Sequence, residues 1–275
     1  MKNRAKSFTA LILFFLILLT SCGPRIVRRK RKFHDVSWVR IQVEGKLKVG
    51  IINSLPPFID IDSKGKYTGF DVELAKAVGK KLNMDVEFKV IKWNNKKKSL
   101  YENEIDCIWS GFNITRQNIT KYNFTEPYIK SAQVITVRDD KNKIKTPNDV
   151  KKRAIAGLTS STAAQGIRML RHKYGDFSNF KFYPDLESMI EALKNKEVDA
   201  IISDVLIMYY QIKSGVKFKT LPEAIVLQEY GIAFRNGEDE LKRKIEAVLV
   251  DLEREGVVEE LARKWFGANI CLINK

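Results

Sequence analysis

Short apolar runs alternate with amphipathic stretches from about residue 46 onward, and this alternation limits the possible folds more than any other feature. Runs such as Leu47–Ile52 and Ala200–Ile202 have the length of buried strands, whereas Leu74, Val78 and Leu82 recur at the four-residue spacing of one helix face. Strands that alternate with helices predict an α/β fold.

The alternation occurs in two series, which predicts two lobes. The first series runs to about residue 137, and the second begins at residue 154. Two further apolar runs, Ile225–Leu227 and Ile232–Phe234, are typical of a return crossing, and helical stretches follow at about 238–254 and 257–266. A chain of 275 residues is long enough for two lobes of about 100–150 residues each.

The net charge of +16 is concentrated near the amino terminus. Residues 1–48 contain twelve lysines and arginines against two acids, so the remaining 227 residues carry +6. A domain with this moderate charge lacks the strongly basic character of most nucleic-acid-binding domains. We therefore expect no nucleic-acid partner.

Residues 1–21 have the pattern of a secretory signal peptide. Three bases precede an apolar run over residues 8–20, which is too short to span a bilayer as a permanent helix. Leu19-Thr20-Ser21-Cys22 then resembles the lipobox of bacterial lipoproteins, in which the cysteine is acylated and begins the mature chain; the alternative is a buried transmembrane cysteine. A lipobox implies an exported lipoprotein, anchored by acyl chains such as palmitate to a bacterial cell membrane, on its extracytoplasmic face or in the periplasm.

Residues 22–45 are expected to form a basic tether. The segment Arg28-Arg29-Lys30-Arg31-Lys32 begins only six residues after Cys22. In this position the bases either add attraction to an anionic membrane surface or keep the tether extended by self-repulsion, and the sequence is compatible with both.

Three cysteines are too few for a disulfide scaffold. Apart from Cys22, they are Cys107 and Cys271. Cys107 lies in an apolar run that favours a buried thiol, although the sequence also permits a disulfide with Cys271.

The most specific stretch of the chain is GFDVELAKAVGKKL, residues 69–82. It resembles, at every position of the pattern, the signature of the family 3 extracellular solute-binding proteins, the receptors of polar amino-acid ABC transporters. The alternative is an ordinary amphipathic helix whose first turn carries acids. Further matches extend through nearly the whole of residues 46–270, among them Pro56-Pro57-Phe58, Glu104-Ile105-Asp106, Phe124–Tyr128, Ser203-Asp204 and Tyr230–Phe234.

The resemblance implies a two-lobed, type II periplasmic-binding-protein-like α/β fold, in which two extended hinge crossings join the lobes. It places lobe one at about residues 46–134 plus 231–275 and lobe two at about 136–229. It also implies a monomer that captures an amino acid between its lobes, without a cofactor, a metal or catalytic residues. The amino acid would then be delivered to an ABC transporter permease.

The ligand of such a cleft is a zwitterion, so its two charges define the groups that must bind it. A buried ammonium requires a carboxylate, and a buried carboxylate requires backbone N–H groups or an arginine. Asp204 follows the strand Ala200–Ser203 and matches the ammonium-binding acid of the family; its alternative role is to cap the next helix. Ser161 and Thr162 match the hydroxyls that hold the ligand carboxylate at a helix start, and capping is again the alternative.

The first lobe is expected to supply the rest of the site. Ser110, Gly111 and Asn113 match the polar strip of the family. Trp93 matches the aromatic that walls the side-chain pocket, although an isolated aromatic is also typical of a hydrophobic core.

Two features depart from the family pattern. Asn118 occupies the position of the arginine that usually clamps the ligand carboxylate, and we expect Arg116 to take over that role. Ile52 and Leu55 occupy positions that usually hold an aspartate and an aromatic, so the pocket is less suited to a basic side chain. The resemblance therefore predicts amino-acid binding without naming the amino acid.

A dehydratase-like enzyme and a sensory ectodomain are the alternative functions. A dehydratase-like enzyme would need a positioned acid–base pair in the cleft, but His34 lies in the predicted tether and His172 in a polar helix. The sequence contains no metal-ligand spacing, phosphate-binding loop or nucleophile elbow. A sensory ectodomain would need a membrane helix or a signalling domain, and we expect neither after residue 275.

Overall fold

Strands and helices alternate along the chain, as the apolar pattern predicts. The computed structural model describes residues 34–140, 144–159, 161–175, 177 and 179–273, so the predicted signal peptide, Cys22 and the basic segment 28–32 lie outside the described residues. The strands are β1 Lys46–Ile51, β2 Asp60–Ile61, β3 Tyr67–Thr68, β4 Asp85–Val90, β5 Cys107–Ile108, β6 Asn123–Phe124, β7 Ile129–Arg138, β8 Ile155–Leu158, β9 Phe180–Tyr183, β10 Ala200–Asp204, β11 Phe218–Tyr230 and β12 Ala233–Phe234. The helices are α1 Ser37–Glu44, α2 Phe70–Leu82, α3 Lys96–Tyr101, α4 Ala163–Tyr174, α5 Leu186–Lys194, α6 Val205–Lys213, α7 Asp239–Arg254 and α8 Val257–Phe266, and short 3-10 turns lie at Trp93–Asn95 and Pro147–Val150. Within the described ranges, we find no helix with the length and apolar character needed to cross a membrane.

The first sheet has the strand order β4-β1-β5-β12-β6. Strand β1 is parallel to β4 and β5, and β12 is antiparallel to β5 and β6. Parallel neighbours need a crossover, which α2 provides between β1 and β4. Leu74 and Val78 of the predicted helix face are fully buried. Gly69 starts α2 at a φ of 112°, where an added side chain would collide with the carbonyl oxygen of Phe58.

The second sheet has the order β11-β7-β10-β8-β9. Its inner strands β8 and β10 are parallel, whereas the long strand β7 is antiparallel to both β10 and β11. We refer to the elements around the first sheet as lobe one and to those around the second sheet as lobe two.

Two crossings connect the sheets. The chain leaves β6 at Phe124 and enters β7 at Ile129, and it returns from Tyr230 of β11 to Ala233 of β12. The crossings run side by side, because Tyr230 pairs with Ile129 and its carbonyl accepts a hydrogen bond from the N–H of Tyr128 at 2.9 Å. This arrangement confirms the predicted α/β fold with two lobes and two crossings.

The helical tail packs on lobe one. Helix α7 contacts α1, α2 and α8, and it buries Leu241, Ile245, Leu249 and Leu252. Lobe one is therefore built from segments on both sides of lobe two in the sequence.

Part of the predicted tether, residues 22–45, is helical. Helix α1 and the residues just before it cap the start of α7. Asp35 accepts a hydrogen bond from the N–H of Glu240 at 2.6 Å, and the hydroxyl of Ser37 accepts one from the N–H of Leu241 at 3.1 Å. Because the first N–H groups of a helix have no partner within the helix, these contacts join the amino-terminal segment to the tail.

A buried ion-pair network holds α1 against the first sheet. Asp106 is fully buried just before β5, and it accepts hydrogen bonds from Arg40 at 2.6 Å and from the N–H of Lys48 at 2.8 Å. Arg235 lies 3.6 Å from the same carboxylate. Glu238 accepts from both guanidinium groups, at 2.8 Å from Arg235 and 3.3 Å from Arg40.

Cys107 and Cys271, the two cysteines in the described part of the chain, are buried thiols and not a disulfide. Burial raises the pKa of the Cys107 thiol well above its usual range, and the neighbouring Asp106 carboxylate adds to this rise. Of the two states that the sequence permits for Cys107, the structure has the buried thiol.

Candidate ligand-binding site

Predicted binding residues lie at the ends of strands in both lobes. Asp204 is the last residue of β10, Ser161 and Thr162 follow β8, and Ser110 and Gly111 follow β5. In open α/β sheets, ligands bind beyond the carboxyl ends of the strands. The crossing strands β7 and β11 connect these ends.

Asp204 is buried and accepts four hydrogen bonds. Its Oδ2 accepts from the hydroxyls of Ser131, at 2.6 Å, and Tyr230. Its Oδ1 accepts from the N–H groups of Leu206, at 2.8 Å, and Ile207, at 3.4 Å. Asp204 therefore caps α6, which is the alternative role considered for it, and its carboxylate also faces the crossings.

No cationic side chain of the described residues pairs with Asp204. Burial raises the pKa of Asp204 above its ordinary value, and the four donors oppose that rise without reversing it. A buried carboxylate without a counter-charge is unfavourable, so an ammonium group at this place would supply the missing positive charge.

Gln228 of β11 connects the two lobes through its side-chain amide. Its Nε2 donates to Asn113 Oδ1 of lobe one at 2.8 Å and to Thr162 Oγ1 of lobe two at 2.7 Å. Its Oε1 accepts from Gln133 Nε2 of β7 at 2.9 Å. Both amide hydrogens and the carbonyl oxygen of Gln228 are therefore in hydrogen bonds. The two that its Nε2 donates link Asn113 of lobe one to Thr162 of lobe two.

Gln133 has an unused acceptor beside Asp204. The two residues are directly paired across β7 and β10. The Oε1 atom of Gln133 is buried and has no hydrogen-bond partner among the described residues. A buried polar atom without a partner costs on the order of 1–3 kcal/mol, so this oxygen is a second acceptor for a ligand donor.

Four polar residues of the crossings were not predicted as site residues: Ser131, Gln133, Gln228 and Tyr230. In each strand the two residues are two positions apart and therefore point to the same side of the sheet. Ser131 and Gln228 are also paired in register. Polar side chains at alternate positions of β7 and β11 are the signal that could have identified them.

Asp71, from the stretch that resembles the family signature, positions the polar strip. It is buried, and its carboxylate accepts from the N–H of Gly111 at 2.7 Å and from the hydroxyl of Tyr128 at 2.8 Å. Gly111 has a φ of 54°, in the left-handed region that favours glycine. Ser110 is buried beside it and accepts from the N–H of Ile52 at 3.3 Å. Asp71 therefore acts on the loop after β5 rather than facing solvent at the start of α2.

Asp71 makes a testable contribution to the pH dependence of stability. Burial raises its pKa to about 7, although the hydrogen bonds from Tyr128 and Gly111 act in the opposite direction. Between pH 4 and about 7 the folded chain holds a proton that the unfolded chain has lost, so rising pH destabilises the parent through this group. We expect the free energy of unfolding of the parent to fall relative to that of D71N by about 1.4 kcal/mol per pH unit within this window. Urea denaturation of both proteins at several pH values measures the difference, and a pH-independent difference would contradict the assignment.

Ser161 and Thr162 have different roles at the start of α4. The hydroxyl of Ser161 accepts from the N–H of Ala163 at 3.0 Å and donates to the carbonyl of Leu158 at 2.7 Å. Ser161 therefore has the capping role considered as its alternative, whereas the hydroxyl of Thr162 is bonded to Gln228. Their position at the positive end of a helix remains suited to an anionic group.

Trp93 is half-buried at the edge of the cleft. Its ring packs edge-on against Phe112, with 5.1 Å between the centroids. It also lines a cavity of about 480 Å³, to which Thr159 and Pro184 of lobe two contribute. Trp93 is thus part of an apolar cluster and part of the cleft wall.

The lobes also make direct contact through α6. The hydroxyl of Tyr210 donates to Asp60 of lobe one at 3.1 Å. The ring of Tyr210 lies beside that of Trp265, with 6.3 Å between the centroids. These contacts and the Gln228 bridge bring the two walls of the cleft together.

Arg116, the predicted replacement for the family's arginine, is exposed and makes no hydrogen bond or ion pair with the residues that the structure describes. Asn118, at the position of that arginine, donates from its side chain to the carbonyl of Asn113 at 2.9 Å. Asn118 therefore stabilises the loop that carries Asn113. The clamp role of Arg116 stays a prediction, as do the ligand contacts of the other site residues.

Comparison with known proteins identifies the family. Residues 47–268 match the bacterial extracellular solute-binding proteins, family 3. Over 277 residues the chain is 27% identical to the probable amino-acid-binding protein YxeM of Bacillus subtilis strain 168, with 99% of each chain covered. Over 233 residues it is 28% identical to the L-cystine-binding protein TcyJ of Escherichia coli strain K12, with 84% of this chain and 86% of the relative covered.

Solved structures have the same two-lobed arrangement. A crystal structure of Tv2483 bound to L-arginine matches with a TM-score of 0.81 and 25% identity, over 88% of this chain and 98% of that chain. The ancestral amino-acid-binding protein AncCDT-1, described as a precursor of cyclohexadienyl dehydratase, matches with a TM-score of 0.76 and 27% identity, over 83% of this chain and 98% of that chain. The family match covers both sheets and both crossings, and the chain therefore belongs to the bacterial extracellular solute-binding proteins of family 3.

Proposed function

We propose that this protein captures a free amino acid between its lobes and delivers it, as a monomer, to an ABC transporter permease at a bacterial cell membrane. The observation that carries the proposal is Asp204, a buried carboxylate at a strand end that has no cationic partner among the described residues. The similarity to proteins named as amino-acid-binding and L-cystine-binding supports it.

The site has groups suited to both charges of an amino acid. The α-ammonium would bind between Asp204 and the unused Oε1 of Gln133, where it supplies a positive charge and a donor together. The α-carboxylate would bind near Thr162 at the start of α4, opposite Asn113. An amino acid in this position would contact both lobes and stabilise their closed arrangement.

The test is a binding screen with the full-length chain purified in detergent. Its melting temperature is measured with each common L-amino acid and with L-cystine, and calorimetry follows for each compound that raises it. A ligand that binds only the folded state raises the melting temperature with concentration. Decarboxylated and deaminated analogues of the best ligand should bind much more weakly. If no amino acid changes the melting temperature or gives heat of binding, the proposal is wrong.

Arg116 is proposed to clamp the ligand carboxylate, as the sequence predicts. Its side chain is exposed in the loop that carries Asn113 and makes no hydrogen bond or ion pair with the described residues. The guanidinium is therefore available to bind a ligand. R116A should weaken amino-acid binding by about 2–5 kcal/mol, and R116K should restore only part, because an ammonium cannot form the planar two-bond fork. Calorimetry of R116A and R116K measures both effects. Parent-like affinity for R116A would mean that the ligand lacks an α-carboxylate or that N–H groups alone bind it.

The lipid anchor is a separate part of the proposal, and it rests on Leu19-Thr20-Ser21-Cys22. Cells that express the protein are grown with an alkyne-tagged palmitate analogue. C22A should lose the label and remain a longer, uncleaved precursor, whereas C271A, which alters a cysteine far from the lipobox, should keep it. Full labelling of C22A would exclude acylation at this cysteine.

The dehydratase-like enzyme remains the second candidate, because AncCDT-1 is described as a precursor of such an enzyme. Both histidines of the chain, His34 and His172, are exposed and lie outside the site described above. Asp204, with its raised pKa, is one acid that such chemistry could use. Incubation of the protein with its ligand, followed by mass spectrometry, separates the two functions: we expect the ligand to be recovered unchanged.

A further inference from the structure

The cavity beside Trp93 has one cation, Lys92, among its lining residues. Its lobe-one wall consists of Lys92, Trp93, Asn94 and Asn95, and its lobe-two wall of Thr159 and Pro184. No carboxylate is among these lining residues. Residues 92–98 as a whole contain four lysines and no acid. A ligand group that enters this cavity therefore meets positive charge on one side and neutral polar groups on the other.

Lys96 adds a half-buried positive charge behind this wall. Its Nζ donates to the carbonyl of Trp93 at 3.0 Å and lies 4.5 Å from the centre of the Trp93 ring and 5.6 Å from that of Phe112. In the described part of the chain, neither Lys96 nor Lys92 forms an ion pair with a carboxylate. Burial lowers the pKa of Lys96, and the charge of Lys121 lowers it further. An anion nearby would oppose both effects.

Asp185 and Asp60 already accept hydrogen bonds. Asp185, next to Pro184, caps α5 by accepting from the N–H of Ser188 at 2.8 Å. Asp60 accepts from the hydroxyl of Tyr210. At the positions that usually hold an aspartate and an aromatic in the family, the chain has Ile52 and Leu55. None of the six lining residues is therefore a carboxylate that could form an ion pair with a guanidinium or an ammonium.

We infer that the ligand is an amino acid whose side chain ends in a second carboxylate, which Lys92 binds in the cavity beside Trp93 while the field of Lys96 supports it. This inference rests on the proposed function. The chemistry is shared by a dicarboxylic amino acid such as L-glutamate and by a disulfide-linked double amino acid such as L-cystine. A cavity of about 480 Å³ has room for either side chain.

The experiment compares ligands that differ only in the distal group. Calorimetry with the full-length chain in detergent measures L-glutamate against L-glutamine, which have the same shape, with L-cystine and L-arginine as further arms. We expect L-glutamate or L-cystine to bind about ten- to hundredfold more tightly than L-glutamine, the range for a charge-assisted bond in a partly buried site. L-Arginine should bind most weakly.

The variants K92Q and K97Q then test whether Lys92 binds the distal carboxylate of the ligand. K92Q should remove most of the preference for L-glutamate over L-glutamine while leaving the affinity for L-glutamine near that of the parent. K97Q is the matched control, because Lys97 is exposed, lies over the ring of Tyr101 and does not line the cavity. Tighter binding of L-arginine or L-glutamine by the parent, or an equal loss for both ligands in K92Q, would overturn the inference and leave amino-acid binding intact. A failure of every amino acid to bind would instead contradict the proposed function itself.

Discussion

D204N is expected to fold like the parent and to lose about 3–5 kcal/mol of amino-acid binding free energy, which is a weakening of roughly a hundredfold to several thousandfold. The reason is that Asp204 is the buried carboxylate proposed to pair with the ligand ammonium, and asparagine has no charge. Asparagine is a good helix cap, so its side-chain oxygen can still accept from the N–H groups of Leu206 and Ile207. The hydroxyls of Ser131 and Tyr230 can accept from the new amide instead of donating to the carboxylate. The substitution therefore removes the negative charge of residue 204 and keeps its helix-capping hydrogen bonds.

Calorimetry measures the affinity of D204N, and urea denaturation verifies that it is folded. D149N is the matched control, because Asp149 caps the 3-10 turn of lobe two by accepting from the N–H groups of Lys145 and Thr146 and lies in none of the contacts of the site. D149N should bind like the parent. An affinity of D204N within threefold of the parent would exclude the ammonium-binding role.

The pH dependence of binding gives an independent check on Asp204. Because burial raises its pKa above the ordinary value, the carboxylate begins to take up protons at a higher pH than an exposed aspartate would. Binding requires the ionised form, so the affinity of the parent should fall as the pH is lowered through that pKa. D204N lacks the titrating group and should bind with a flatter pH profile over the same range.

D106A is expected to lower the free energy of unfolding by about 3–5 kcal/mol, the largest effect on stability that we predict. The alanine would leave Glu238 as the carboxylate that Arg40 and Arg235 still share, with the buried side of both guanidinium groups uncompensated. It would also leave the N–H of Lys48 without its acceptor. Removing one member of a buried charged network is destabilising mainly because the charges that remain are uncompensated.

Chemical denaturation of D106A and of E259A compares a buried arginine–carboxylate pair with an exposed one. Glu259 accepts from Arg263 at 2.6 and 2.8 Å within the exposed face of α8, where an ion pair contributes about 0.5 kcal/mol or less. Similar losses in the two variants would mean that burial of the Asp106 network has no energetic consequence.

The site residues at the strand ends could be predicted from the sequence because the patterns that indicate them are local. A strand followed by a polar residue and a helix start can be recognised within a few residues, as at Asp204 and at Ser161-Thr162. The roles of these residues were harder to predict from the sequence. Asp204, for example, both caps a helix and faces the crossings. Ser161 caps α4, whereas Thr162 bonds to the crossing strand.

The residues that connect the lobes could not be found in this way. Gln228 and Asn113 are 115 positions apart, and Gln228 and Thr162 are 66 apart, so only the pairing of β7 with β11 brings them to one place. The same applies to Asp71 and Gly111, which are 40 positions apart, and to Arg40 of α1 and Asp106, which are 66 apart. Hydrogen bonds of this kind depend on register, and a sequence pattern does not contain the register between distant strands.

The amino-acid sequence alone was sufficient for the α/β class, the two lobes and the resemblance to solute-binding proteins, because these follow from the periodicity of apolar side chains and from one contiguous stretch, residues 69–82. The tertiary structure decided which polar groups are buried without a partner and which cation lines the cavity beside Trp93. The physical reason is that burial and electrostatic pairing depend on what the rest of the chain places around a group. The tertiary structure shows that, among the described residues, Asp204 is a buried carboxylate without a cationic partner and that Lys96 is a half-buried cation without a carboxylate. The sequence alone does not indicate either property.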